Sequence, residues 1–189
     1  LQVINEAQTP ALMQAWIDDG AIDSTPETTQ APCIVLPPLQ RIDAKNGVAL
    51  TIKFYGAPLV IDRESIFYLN VLDIPVKSPQ EARNILQFAV RNRIKVFYRP
   101  PKLSLPIADI LSRFQCRVKG AFLMLSNQSP YFLTISSLQT SKGDEVLPES
   151  VMIAPFTTQQ VAFIKTASLT SPLSLYHIND TGRHEQSTL

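Results

Sequence analysis

Between residues 84 and 100 the chain reads NILQFAVRNRIKVFYRP, and this alternation constrains the fold more than any other feature of the sequence. Successive side chains of a strand point to opposite faces. A period of two therefore places Leu86, Phe88 and Val90 on one face and Arg91, Arg93, Lys95 and Arg99 on the other. A second block, DRESIFYLNVLDIP at 62–75, runs from a charged turn into a stretch at 66–72 that is apolar on both faces apart from Asn70. That pattern predicts a central strand.

The remaining chain keeps the same period. Fifteen prolines against six glycines point to many short strands separated by turns, and a hydrophobic content of 45% leaves ample material for burial. A length of 189 residues accommodates two sandwiches of about 95 residues each, close to the usual immunoglobulin-like size. Strands are expected at 1–5 and 11–17, joined by a turn at 6–10, with Trp16 as a core anchor of the first sandwich. Residues 18–32 are polar and read as loop, with Asp18-Asp19 as loop charges. Further strands are expected at 33–36, around Leu50, Ile52 and Phe54, and at 86–98. Arg99-Pro100-Pro101 marks the domain boundary, since successive prolines donate no ladder bonds and stiffen the chain. This gives domains at 1–99 and 100–189, the second with strands near 114–118, 121–125, 131–138, 151–154, 160–165 and 173–179. Cys33 and Cys116 fall in different halves, so neither half closes its own disulfide, and both read as small buried hydrophobes.

Several function classes find little support. A net charge of +1 gives no global attraction to nucleic acid or membrane, and no stretch approaches the roughly 20 apolar residues of a bilayer-crossing helix. Arg91, Arg93, Lys95, Arg99 and Lys102, with Phe97 and Tyr98 nearby, form the one basic concentration, a weak case for single-stranded nucleic acid. His177 and His184 have no metal-binding spacing to Cys33 or Cys116, and neither a phosphate-cradling glycine loop nor a nucleophile elbow is present. An enzyme is therefore not expected, nor any metal or other cofactor. An immunoglobulin-like adhesion or receptor-type module is the stronger rival, and Asn127-Gln128-Ser129 and Asn179-Asp180-Thr181 read as glycosylation acceptors.

Asp62-Arg63-Glu64-Ser65, Asn70 and Ile74-Pro75 resemble the signature of the PapD-like periplasmic chaperones of the chaperone/usher pilus pathway. Val60 stands where a proline is usual after Leu59, and Val76 where a second proline or small residue is usual. Phe97-Tyr98-Arg99-Pro100, the stretch SNQSPYF at 126–132 and Ile178-Asn179-Asp180 agree with the same family. The resemblance implies an all-β protein of two immunoglobulin-like sandwiches in an L or boomerang arrangement. It implies a chaperone that binds, folds and caps pilus or fimbrial subunits by donor-strand complementation and delivers them to an outer-membrane usher. On that pattern Leu86, Phe88 and Val90 form the donated stripe, Lys95 grips the subunit's terminal carboxylate, and Glu64, Arg99 and Asp180 form a charged trio between the domains. The family's second carboxylate ligand, an arginine, belongs to a first strand that is expected to be missing here, because Leu1 aligns with the second strand. The expected location is the periplasm, the sequence being a mature or trimmed form without its leader. The expected partners are subunits and usher, with self-association when no subunit is bound, and neither nucleic acid nor direct membrane insertion. The brief segment 76–83 resembles the short-loop branch of the family.

Overall fold

The alternating segments form strands in two separate units of the computed structural model, which describes residues 1–56, 59–75, 88–164 and 172–189. The first unit comprises Leu1–Leu59 and Ser65–Tyr98, the second Val60–Glu64 and Arg99–Leu189. The short segment before residue 65 thus groups with the second unit, as does Arg99.

The first unit contains β1 (Gln2–Ile4), β2 (Ala11–Asp18), β3 (Cys33–Leu36), β4 (Leu39–Ile42), β5 (Gly47–Ala49), β6 (Thr51–Phe54), β7 (Ser65–Pro75) and β8 (Val90–Tyr98). One sheet has the order β4-β2-β7-β8, and the two-stranded sheets β1-β5 and β3-β6 complete the layers. β7 is central, as its two-sided apolar character predicts, and it pairs antiparallel with β2 and β8. The core draws on one face of that sheet, with Met13, Ala15 and Ile17 of β2 and Phe67, Leu69 and Val71 of β7, packed against Val35, Ile42 and Leu50.

Trp16 departs from expectation. It is buried, but its strand parity is opposite to that of Met13, Ala15 and Ile17, so it lies on the outer face and outside the core cluster. The Arg91 guanidinium stands 5.7 Å from its ring centroid. Asp18 is the last residue of β2 and fully buried rather than a loop charge.

The second unit opens with a 3-10 helix (Ile107–Arg113), followed by β9 (Phe114–Lys119), β10 (Phe122–Asn127), β11 (Leu133–Gln139), β12 (Val151–Ile153), β13 (Thr157–Ala162), β14 (Ser174–Ile178) and β15 (His184–Thr188). Its sheets have the orders β13-β10-β9 and β12-β11-β14-β15. Leu123, Leu125, Leu133, Ile135, Leu138, Ile153 and Leu175 fill the space between them. The fold is all-β, with two immunoglobulin-like domains. Strands β4, β5 and β15 were not foreseen, because each exposes most of its residues and lacks an alternating apolar run. β15, HEQST, is a polar edge strand of the kind that resists further pairing. Cys33 and Cys116 are both free, half-buried thiols, and burial raises the pKa of each.

Candidate functional site

β8 is an edge strand. It pairs along its full length with β7, from Ser65 opposite Tyr98 to Asp73 opposite Val90, and with no other strand among the described residues. Its other side pairs with no strand among the described residues, and a sheet edge of this kind is where a further strand can add. Residues directly opposite on paired strands share a face. Val96 lies opposite Phe67 and Ile94 opposite Leu69, so the stripe Phe88, Val90, Asn92, Ile94 and Val96 continues the core-facing side of β7. Val96 packs against the core, whereas Ile94, Val90 and Phe88 are 48%, 53% and 69% exposed. The stripe leaves the core as it runs toward residue 88, so Phe88 and Val90 do not fill this domain's interior. Leu86 lies outside the described residues, as does the segment 76–83.

Lys95 occupies the opposite face, across from Tyr68 and alongside Arg91 and Arg93. Both arginines are engaged: Arg91 donates from Nη2 to the Ile22 carbonyl, and Arg93 pairs with Asp18. Lys95 is exposed and has no ion-pair partner among the described residues, which leaves its ammonium available to an anion.

Glu64, Arg99 and Asp180 come together within the second unit. Glu64 directly precedes β7 and Arg99 directly follows β8, so the two stand just beyond the end of that ladder, at the Ser65–Tyr98 pair. Arg99 donates from Nε to Glu64 Oε1 at 2.8 Å and from Nη1 and Nη2 to the two Asp180 carboxylate oxygens at 2.6 and 2.7 Å. Its guanidinium also stands 5.0 Å from the Tyr131 ring centroid. The hydrogen bonds from Arg99 outweigh desolvation and hold the Asp180 carboxyl below the usual carboxylate range, while the same partners raise the Arg99 pKa.

The SNQSPYF stretch supports Glu64. Asn127, wholly buried, donates from Nδ2 to the carbonyls of Tyr131 and Ile153 and accepts at Oδ1 from the Ser129 amide. The turn so fixed presents the Phe132 amide to Glu64 Oε2 at 2.8 Å and the Pro130 carbonyl to the Glu64 amide. Burial and these bonds rule out Asn127 as a glycosylation acceptor. Asn179 instead closes a surface turn, its Oδ1 accepting from the amides of Thr181 and Arg183.

One polar cluster escaped the sequence reading. On the outer face of the sheet, Asp18 accepts from Arg93 Nε at 3.0 Å and also from Arg93 Nη2, from Asn70 Nδ2 at 2.7 Å and from the Gly20 amide at 2.7 Å. Arg93 lies over the Tyr68 ring at 3.7 Å. Burial by itself would raise the Asp18 pKa, but the hydrogen bonds from Arg93, Asn70 and Gly20 prevail and lower it. Asn70, an asparagine within an otherwise apolar strand, was the available signal.

Comparison with known proteins agrees with this geometry. Residues 1–104 match the family described as the pili and flagellar-assembly chaperone, PapD N-terminal domain, and residues 109–189 the pili assembly chaperone PapD, C-terminal domain. The chain is 38% identical over 186 residues to the chaperone protein MrkB of Klebsiella pneumoniae, spanning 96% of this chain and 79% of MrkB. It is 40% identical over 162 residues to the probable fimbrial chaperone YehC of Escherichia coli, spanning 85% of this chain and 67% of YehC. The crystal structure of the Pseudomonas aeruginosa CupB2 chaperone superposes with a TM-score of 0.82 at 32% identity, covering 100% of this chain and 89% of CupB2. With both domain families matched in order along one chain, and with an open apolar edge strand in the first, the protein belongs to the PapD family of pili-assembly chaperones.

Proposed function

We propose that this chaperone acts in the periplasm by lending β8 to pilus subunits that lack a strand of their own, then hands the capped subunits to an outer-membrane usher. The observation that carries the reading is the open edge of β8 together with the exposure of Phe88 and Val90 on its core-continuing face. Main-chain hydrogen bonds along such an edge are indifferent to sequence, and alternate side chains supply the selectivity by entering pockets in the partner. Leu86, Phe88 and Val90 serve as the apolar anchors, and Lys95, on the opposite face, receives the subunit's terminal carboxylate by a charge-assisted hydrogen bond. Glu64, Arg99 and Asp180 fix the chain where β8 leaves the first domain. Binding alone, without a catalytic step, accounts for this activity.

Co-expression with a pilus subunit stripped of its N-terminal extension tests the proposal. The expected result is a soluble one-to-one complex with the wild-type chain and its loss with Phe88→Asp, Val90→Asp, which keeps the wild-type circular dichroism. A complex of undiminished yield with the variant would overturn strand donation through these residues. Absence of a complex with the wild type would overturn subunit capping.

A further inference from the structure

The Asp18–Arg93 bridge spans three strands. Asp18 ends β2, Arg93 lies in the middle of the edge strand β8, and between them β7 contributes Asn70 to the carboxylate and the Tyr68 ring to the guanidinium. Asp18 is wholly buried and the Arg93 side chain largely so, at 22% exposure. The two-pronged arrangement makes each position specific. A carboxylate accepting both Nε and Nη2 of an arginine is satisfied by one planar orientation, which a lysine cannot reproduce.

Only β7 holds β8 among the described strands, and a strand held on one side is prone to slide or peel. A slip of one residue would turn Phe88 and Val90 toward the face now occupied by Arg91, Arg93 and Lys95. A slip of two would keep the faces but put Arg91 or Lys95 opposite Asn70 in place of Arg93, breaking the bidentate pair. The Arg99–Glu64 contact pins one end of the strand. The Asp18–Arg93 contact lies six residues nearer Phe88, toward the part of the strand that is otherwise tied by Arg91, through the Ile22 carbonyl and the Trp16 ring.

We infer that Asp18 is a positioning residue for subunit capture: through Arg93 it fixes the register and lateral order of β8, so that the apolar stripe and Lys95 are presented on their proper faces. The inference rests on the proposal that β8 is the strand lent to subunits. Asp18 itself touches no subunit.

Hydrogen exchange on the free chaperone, paired with subunit capture, provides the test. Asp18→Asn keeps the size of the side chain and removes the charge that Arg93 requires. Amides of residues 90–98 that bond to β7 should exchange about 10-fold faster, while those of β11 are unchanged, and the yield of soluble subunit complex should fall by about the same factor. Arg93→Lys, which retains the charge but not the fork, should give an intermediate change in both readings. Asp43→Asn, at an exposed ion pair with Arg41, should change neither. Unaltered exchange in β8 for both Asp18→Asn and Arg93→Lys would overturn the inference, as would faster exchange with full subunit capture. If Asp18→Asn does not fold, Arg93→Lys carries the same test. Failure of the wild type to capture a subunit would defeat the chaperone proposal alone, and the exchange measurement would still decide whether Asp18 holds β8.

Discussion

Glu64 carries its charge at 4% exposure and satisfies it with one guanidinium nitrogen and one backbone amide. Removing the guanidinium leaves that carboxylate buried without its counter-ion, an arrangement far less favourable than loss of a surface pair. Arg99→Ala should therefore lower stability by about 2–3 kcal/mol, below the range of about 3–5 kcal/mol for fully buried pairs because a third of Arg99 is exposed. Asp180→Asn should cost less than about 1 kcal/mol, since Asp180 is 54% exposed and Arg99 keeps Glu64. Urea midpoints of the two variants test the ordering. Part of the pH dependence follows from two of the depressed carboxyls, Asp18 and Asp180. Asp18 and Asp180 titrate lower in the folded state than the ordinary carboxyl value of about 4, so their stabilisation is complete above that pH and is lost as the pH falls through the folded values. A urea midpoint that declines from pH 5 to pH 2 in the wild type should decline less steeply in Asp180→Asn. The trio was legible from the residues 62–65, 97–100 and 178–180, because each charge sits in a recognisable local motif. Asp18–Arg93 was not, since its members are 75 positions apart and each alone looks like a surface charge.

At the scale of the element, β8 is an amphipathic strand whose apolar stripe, Val96 apart, is largely exposed on its own domain. Phe88→Asp and Val90→Asp should each shift stability by no more than about 0.5 kcal/mol, as expected of exposed positions. Each anchor buried in a partner contributes roughly 1.5–3 kcal/mol, so either substitution should weaken subunit binding about 10-fold to 100-fold. Titration calorimetry with a refolded subunit, set beside urea unfolding, separates the two effects. Leu69→Ala, in the neighbouring β7 and 1% exposed, should reverse the pattern with a stability loss of about 2–5 kcal/mol. Period two revealed both strands but not the difference between them. Alternation says which residues share a face, whereas exposure depends on what other strands cover that face.

At the scale of the molecule, the two units have separate hydrophobic cores with no residue in common. The only tryptophan, Trp16, is buried in the first unit, so its fluorescence reports on that unit while far-ultraviolet circular dichroism reports on both. Ile135→Ala, which opens a cavity in the second core, should move the dichroism transition to lower urea by more than the fluorescence transition. Coincident shifts of equal size would show that the units unfold as one. The sequence by itself determined the strand periodicity, the central place of β7 and the family, because all of these rest on local patterns and short motifs. Tertiary structure alone decided that Trp16 faces away from the core, that the short, mostly exposed segments β4 and β5 and the polar β15 are strands, and that Asp18 meets Arg93. Each depends on sheet order, which brings distant segments together according to the area they jointly bury and the backbone groups they jointly satisfy, and no single segment carries that information.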